Sequence, residues 1–160
     1  MVDCVILGGG NIGDTQQRLI CAEQAIVARI GAVASRSGWY TTEAWGFESS
    51  SSFTNVAWVV RTELTASEVL ETLLIIEAEL GRDRKSEYCD KVLSRQNYAN
   101  RMIDLDILLY GSQVVVTPHL QVPHPKLLER EFAMAPMCDA LGISTEEGRE
   151  MVINIVKNEI

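Results

Sequence analysis

The sequence predicts an α+β domain, and three observations carry that reading. Apolar runs of strand length alternate along the chain with apolar stripes at helical spacing. Helix-capping signals stand at the boundaries between them. The 160 residues, 47% of them hydrophobic, supply one domain's core, read here as a single unit over 1–160.

The elements follow in order. Asp3 to Leu7 is a short apolar run ending in Gly8-Gly9-Gly10, a buried strand entering a tight turn. Asn11 or Asp14 can cap the next helix, whose apolar residues Leu19, Ile20, Ala22, Ile26, Val27 and Ile30 recur at helical spacing. Gly31 stands where a helix C-terminus favours glycine, and residues 32–42 read as a strand into a loop. Phe53 to Thr62 is a strand rich in Val and Trp. Thr65-Ala-Ser-Glu68 is a capping box for a second helix, which Gly81 closes. Residues 82–101 lack a regular period and read as a long loop. Arg101 to Tyr110 is a further strand, turned by Gly111-Ser112 towards Val114-Val115-Val116. A loop marked by Pro118, Pro123 and Pro125 leads into helical material from about 129 to 141, and Ser144-Thr-Glu-Glu147 caps a last helix. The order β-α-β-β-α-β with helices appended predicts a split βαβ, ferredoxin-like sheet covered by helices.

Bulk composition narrows the function. Twenty-two acids against fourteen bases give a net charge of −8, which argues against nucleic acid as a partner. Four cysteines at 4, 21, 89 and 138 form no metal-like pairing and read as reduced thiols, Cys4 and Cys21 in the core. No signal peptide and no apolar run of membrane-spanning length is visible, so a reducing cytoplasm is the expected location.

Gly8-Gly9-Gly10-Asn11-Ile12-Gly13 satisfies G-x-G-x-x-G between a strand and a helix. A dinucleotide site would also need an acid about 20 residues further on. None occurs from Gly31 to Thr42, so a tight strand-to-helix turn explains the glycines as well. A small nicotinamide-dependent oxidoreductase is therefore the alternative, and a non-catalytic binding module a third reading.

Asp104-Leu-Asp106 is the most telling segment. Strand alternation puts both carboxylates on one face, about 7 Å apart at Cα, with Ile103, Leu105, Ile107 and Leu109 covering the other. Two carboxylates on an otherwise apolar strand are costly without a cation, and Mg²⁺ with phosphate oxygens suits them. A solvent-facing edge strand is the bland alternative, but the preceding residues argue otherwise. From 82 to 101 lie Arg82, Arg84, Lys85, Lys91, Arg95 and Arg101 against three acids, a local net of +3. Four of those six are arginines, suited to bidentate phosphate contacts, as phosphoryl transfer requires.

Six of the ten aromatic residues fall between 39 and 58. Phe53 and Asn55 share one strand face and Trp58 takes the other. A ring beside an amide can stack on a flat heterocycle and read its edge, though ordinary core packing is equally open. His124, between Pro123 and Pro125, is positioned by its prolines, and with Arg130 it is a candidate phosphate contact; His119 reads as a surface residue.

Taken together these segments resemble the 6-hydroxymethyl-7,8-dihydropterin pyrophosphokinase family, over the chain from the first strand to about residue 140. Its G-S-N-x-G-D opening is Gly9-Gly10-Asn11-Ile12-Gly13-Asp14, and its aromatic-Tyr-x-Thr stretch is Trp39-Tyr40-Thr41-Thr42 leading to Gly46. Phe53-Thr54-Asn55, Glu77 through Gly81-Arg82-Asp83-Arg84, Arg101-Met-Ile-Asp104-Leu-Asp106-Ile107 and Val122-Pro123-His124-Pro125 through Arg130-Glu131-Phe132 complete the set. The resemblance implies a three-layer αβα sandwich and transfer of pyrophosphate from ATP to a pterin alcohol in folate biosynthesis. It implies that Asp104 and Asp106 bind two Mg²⁺ ions and that Arg82 and Arg101 are catalytic. Arg84, His124 and Arg130 would hold ATP phosphates, while Glu77 and Ile107 border the nucleoside. Phe53 and Phe132 would sandwich the pterin, with Asn55 reading its edge and Thr42, Ala44 and Trp45 assisting. It further implies a monomer acting on small molecules, with no nucleic-acid or membrane partner. The chain departs from the family in Gly10 for serine, in Glu43-Ala44-Trp45 for a Pro-rich loop, in Ser49 to Ser52, and in Ala99-Asn100 for Gly-Pro. Tyr88 and Tyr98 are candidates for the aromatic that seals the site.

Overall fold

The computed structural model describes residues 1–42, 53–81 and 102–158. Its main sheet runs β2-β4-β1-β5, where β1 is Val2–Gly10, β2 Gly31–Arg36, β4 Phe53–Thr62 and β5 Asp104–Tyr110. The short β3, Tyr40–Thr42, pairs with the start of β4, and a separate ribbon pairs β6, Val115–Val116, with β7, Gln121–Val122. All these pairings are antiparallel. β1 and β2 therefore run parallel with β4 between them, joined by α1, Thr15–Arg29.

Each face of the sheet buries its own core. On the first lie Cys4 and Ile6 of β1, Val56, Trp58 and Val60 of β4, and Leu105 and Ile107 of β5. They meet Leu19, Ala22 and Ile26 of α1 and Val69, Leu73 and Ile76 of α2, Ala66–Glu79. On the second face Val5, Leu7, Ala57, Val59, Leu108 and Leu109 meet α3, Glu131–Leu141, and α4, Thr145–Lys157. In β1 and β4 the two apolar sets are the odd and even positions of one sequence, which is why these central strands read as unbroken apolar runs.

Local signals set the helix ends. Asp14 caps α1 by accepting from the Gln17 N–H, so of the two candidate caps the aspartate serves. The capping box at Thr65 and Glu68 is present in both directions, and Gly81 follows α2 at φ 100°. Ser144 caps α4 through the Glu147 N–H.

Four expectations change. Gly31 is no helix cap: Ile30 ends α1, and Gly31 opens β2, where a Cβ would run into the Arg61 carbonyl of β4. Leu109 does not share a face with Leu105 and Ile107. The β1–β5 register slips between Val5 and Ile6, so Leu108 and Leu109 both turn to the second face. The strand begins at Asp104 rather than Arg101, although Ile103 is already fully buried. Cys21 is only half-buried, whereas Cys4 is buried and its thiol is pushed up to about 12 by that burial, keeping it protonated.

Among the described residues no helix is long and apolar enough to cross a membrane.

Candidate active site

Of the candidate residues, Phe53, Asn55, Asp104 and Asp106 converge at one end of the sheet on the second face, while Ile107 and Glu77 stand on the first-face side. In the antiparallel register Gly9 of β1 pairs with Asn55 of β4 on one side and with Asp104 of β5 on the other. One residue pair further along the face, Leu7 stands between Ala57 and Asp106. Tyr40 of β3 pairs with Asn55, and Thr42 with Phe53. A continuous row therefore runs Tyr40, Asn55, Gly9, Asp104 across four strands. Asn55 and Asp104, two strand spacings apart, are separated by about 10 Å.

The glycines make this row possible. Gly9 has no Cβ, and one added there would meet Asn55 Oδ1, so the buried amide lies over the bare backbone of β1. Gly8 does the same for the first face, where an added Cβ would stand 2.6 Å from Trp58 Cη2. Gly13 takes φ 66° at the turn into α1. Of the glycines in the 8–13 segment, Gly8 is covered by Trp58, Gly9 by Asn55 and Gly13 by Arg18, all side chains of this protein.

The two aspartates are half-buried side by side on β5, an arrangement of hard oxygen donors on one face that fits a divalent cation. Glu77, in the last turn of α2, is 2% exposed, and its Oε2 accepts the Leu105 N–H at 2.8 Å. This carboxylate secures the outer edge of β5, the side away from β1, where the described residues place no further strand of the main sheet. Ile107, on the opposite face of β5, is buried in the first core.

The segment after β7 lies along that same edge. The His124 N–H donates to the Leu108 carbonyl at 3.0 Å, following a cis Val122–Pro123 bond. His124 Nδ1 accepts the Lys126 N–H at 3.2 Å. Burial first, then the charge of Arg130, holds the imidazole below its ordinary 6.5, with Asp104 pulling the other way and Lys126 adding to the depression. The ring is therefore neutral at pH 7, with its proton on Nε2, which makes that nitrogen a donor. Arg130, at the start of α3, stacks its guanidinium 5.4 Å from the centre of the Phe132 ring, and Phe132 is 40% exposed.

Six predicted site residues are not placed by these observations. Arg82, Arg84, Arg101, Ala44 and Trp45 lie outside the described residues, as do Tyr88 and Tyr98, and Thr42 is described only as backbone in β3. Their described chain neighbours frame the same end of the sheet: a Cβ on Gly81 would stand 3.4 Å from Met102 Sδ. A cavity of about 440 Å³ bordered by Met1, Ile30, Arg61 and Leu64 lies at the far end of the sheet and contains none of the candidates.

A family model described as 7,8-dihydro-6-hydroxymethylpterin-pyrophosphokinase (HPPK) matches residues 5–142. The chain belongs to that family. It is 37% identical over 132 residues to a 2-amino-4-hydroxy-6-hydroxymethyldihydropteridine pyrophosphokinase of Porphyromonas gingivalis, covering 82% of this chain and 85% of that one. The Bacillus subtilis protein of the same name is 34% identical over 132 residues, covering 82% and 73%. Among solved structures, an HPPK-DHPS chain of Plasmodium falciparum superposes with a TM-score of 0.66 at 12% identity, over 91% of this chain and 41% of that chain. That likeness is one of fold, and this chain spans less than half of the longer one. Membership of the HPPK family leaves the nicotinamide alternative without support, in accord with glycines that carry Trp58 and Asn55.

Two features of the site have no sequence signature. Asn55 is recognisable as a polar residue in an apolar strand, but its seat on Gly9 depends on strand register. Arg18 reads as an ordinary helix-surface cation, yet its Nη1 donates to both the Ile12 and Met102 carbonyls, at 2.7 and 3.0 Å.

Proposed function

We propose that this HPPK-family chain transfers the diphosphate of ATP to the hydroxymethyl group of 6-hydroxymethyl-7,8-dihydropterin in folate biosynthesis. The pterin oxygen attacks the β-phosphorus, the bond to the α-phosphate oxygen breaks, and AMP leaves as the alcohol proton is lost. The observation that carries this reading is the row across the sheet, with Phe53 and Asn55 on one side of Gly9 and Asp104 and Asp106 on the other. An aromatic–amide pair suited to a heterocycle thus shares a face with a carboxylate pair suited to a cation on phosphate.

Asp104 and Asp106 are the residues that would hold Mg²⁺, two ions in the family pattern; bound there, the metal neutralises charge on the triphosphate. His124, through Nε2, and Arg130 would donate to phosphate oxygens. Glu77 and Ile107 would border the nucleoside, and Phe53 and Phe132 the pterin. Arg82, Arg84 and Arg101, with Thr42, Ala44 and Trp45, complete the assignment through their match to the family motifs. The strand order β2-β4-β1-β5, with helices on both faces, supports a ferredoxin-like three-layer sandwich; that it acts as a single domain and as a monomer is part of the same proposal.

The test is incubation with ATP, Mg²⁺ and the pterin alcohol while nucleotide products are resolved. AMP should appear in step with pterin diphosphate. Formation of ADP instead, or turnover without the pterin, would overturn the assignment. A narrower expectation concerns Gly9→Ala: its methyl would displace the Asn55 amide and raise KM for the pterin about tenfold, leaving the KM for ATP nearly unchanged. An equal rise in both constants would show that Asn55 does not read the pterin.

A further inference from the structure

Arg18 lies at the end of the first turn of α1, and its half-buried guanidinium leaves the helix to join the backbone at Ile12 to the backbone at Met102. Nη1 donates to the Ile12 carbonyl at 2.7 Å, inside the turn between β1 and α1. It also donates to the Met102 carbonyl at 3.0 Å, two residues before Asp104. Charge-assisted bonds to neutral carbonyls are stronger than backbone–backbone ones, and here one cation serves both. Gly13 leaves room for this group, since a Cβ at that position would stand 3.3 Å from Arg18 Nη2.

The location gives the contact its consequence. β5 is an edge strand, and its ladder with β1 ends at the Gly9–Asp104 pair. Upstream of that pair the sheet no longer holds the chain. Among the described residues, Arg18 on the Met102 carbonyl and Ile103 buried in the core do so, while Glu77 on the Leu105 N–H holds the first residues of the ladder itself. Ile103 and Glu77 fix the depth and the edge of the strand. Arg18 alone of the three ties its entry to the β1–α1 turn, and so holds the chain just before the Gly9–Asp104 pair that sets Asp104 beside Asn55.

We infer that Arg18 is a positioning residue that holds the entry to β5 against the β1–α1 turn and thereby places the Asp104 carboxylate for a divalent cation on the triphosphate. This rests on the proposed function above. It concerns how the pair is held, by a residue that touches neither metal nor substrate.

Mn²⁺ affinity, read by electron paramagnetic resonance in the presence of the α,β-methylene analogue of ATP, tests it without turnover. Arg18→Ala should weaken Mn²⁺ binding about tenfold, in the range seen when the groups that orient metal ligands are lost. The KM for the pterin should stay within about twofold, because Phe53 and Asn55 belong to β4. Arg18→Lys, which keeps a cation with several N–H donors, should regain at least half of the loss. Circular dichroism establishes that each variant is folded. If Arg18→Ala does not fold, Arg18→Gln takes its place with an intermediate loss expected. Affinity within twofold of the wild type in a folded Ala or Gln variant overturns the role of Arg18 while leaving the metal reading intact. A wild-type protein that binds no Mn²⁺ with the analogue overturns the metal reading, and the inference with it.

Discussion

Asp106→Ala should turn over at least about a hundredfold more slowly than the wild type while keeping its fold. The magnitude follows from the work assigned to a metal-bound carboxylate. Neutralising charge on a transferring phosphoryl group is worth several kcal/mol, and each 1.4 kcal/mol is a factor of ten in rate. The fold should survive because the side chain is half-buried at the open end of the second face, opposite Leu7, while the apolar neighbours Leu105 and Ile107 point the other way. No buried methylene is lost and no cavity opens. The measurement is AMP release at saturating ATP, Mg²⁺ and pterin, paired with a thermal melt. Asp106→Asn separates charge from shape: it keeps the volume and should be nearly as slow. Retained turnover in either variant would remove Asp106 from the metal site.

Trp58→Ala should cost about 3–5 kcal/mol of stability, enough to unfold much of a domain whose total is about 5–15 kcal/mol. Trp58 is 1% exposed at the centre of the first-face core, and its ring lies over Gly8. Its indole Nε1–H donates to Glu23 Oε1 at 2.8 Å, and the same carboxylate accepts from Arg36. Truncation therefore opens a cavity and strips a partner from Glu23. Trp58→Phe keeps most of the ring and loses the hydrogen bond, so a loss of about 1–2 kcal/mol is expected. Urea unfolding followed by circular dichroism distinguishes the two. A loss below about 1 kcal/mol for the alanine variant would show that the Gly8 contact and the core around it can collapse around the gap.

The legible parts of this protein are those encoded by near neighbours. The capping box at Thr65 and Glu68, the Ser144 cap and the apolar stripes of α1 and α2 depend on residues three or four positions apart, which a sequence displays directly. The separation of Phe53 and Asn55 from Trp58 likewise follows from the two-residue period of an extended chain. That the site would hold Asp104 and Asp106 on one face was readable for the same reason. That Leu109 would leave the face of Ile107 was not, because a bulge is a disagreement between two strands and β5 shows only one of them.

Glycine shows the boundary most clearly. A glycine-rich segment is visible in the sequence, but its three consecutive glycines end strand β1 and do not form the turn, and what they are for depends on what approaches them. The pattern at 8–13 is compatible with a bound pyrophosphate, and only the register of β1 with β4 brings the Trp58 ring and Asn55 amide onto Gly8 and Gly9. Gly31 is compatible with a helix cap until β2 is seen lying against the Arg61 carbonyl.

The sequence by itself determined the order of elements, their caps, the family and the chemical character of the residues gathered for catalysis. Tertiary structure decided how those residues meet: Asn55 and Asp104 flanking a bare glycine, the imidazole of His124 kept neutral by burial and Arg130, and Arg18 joining the distant carbonyls of Ile12 and Met102. The reason is physical. Propensity and capping act over one helical turn, whereas strand register, desolvation and a shared cation are set by groups that the chain brings together only when the whole sheet has formed.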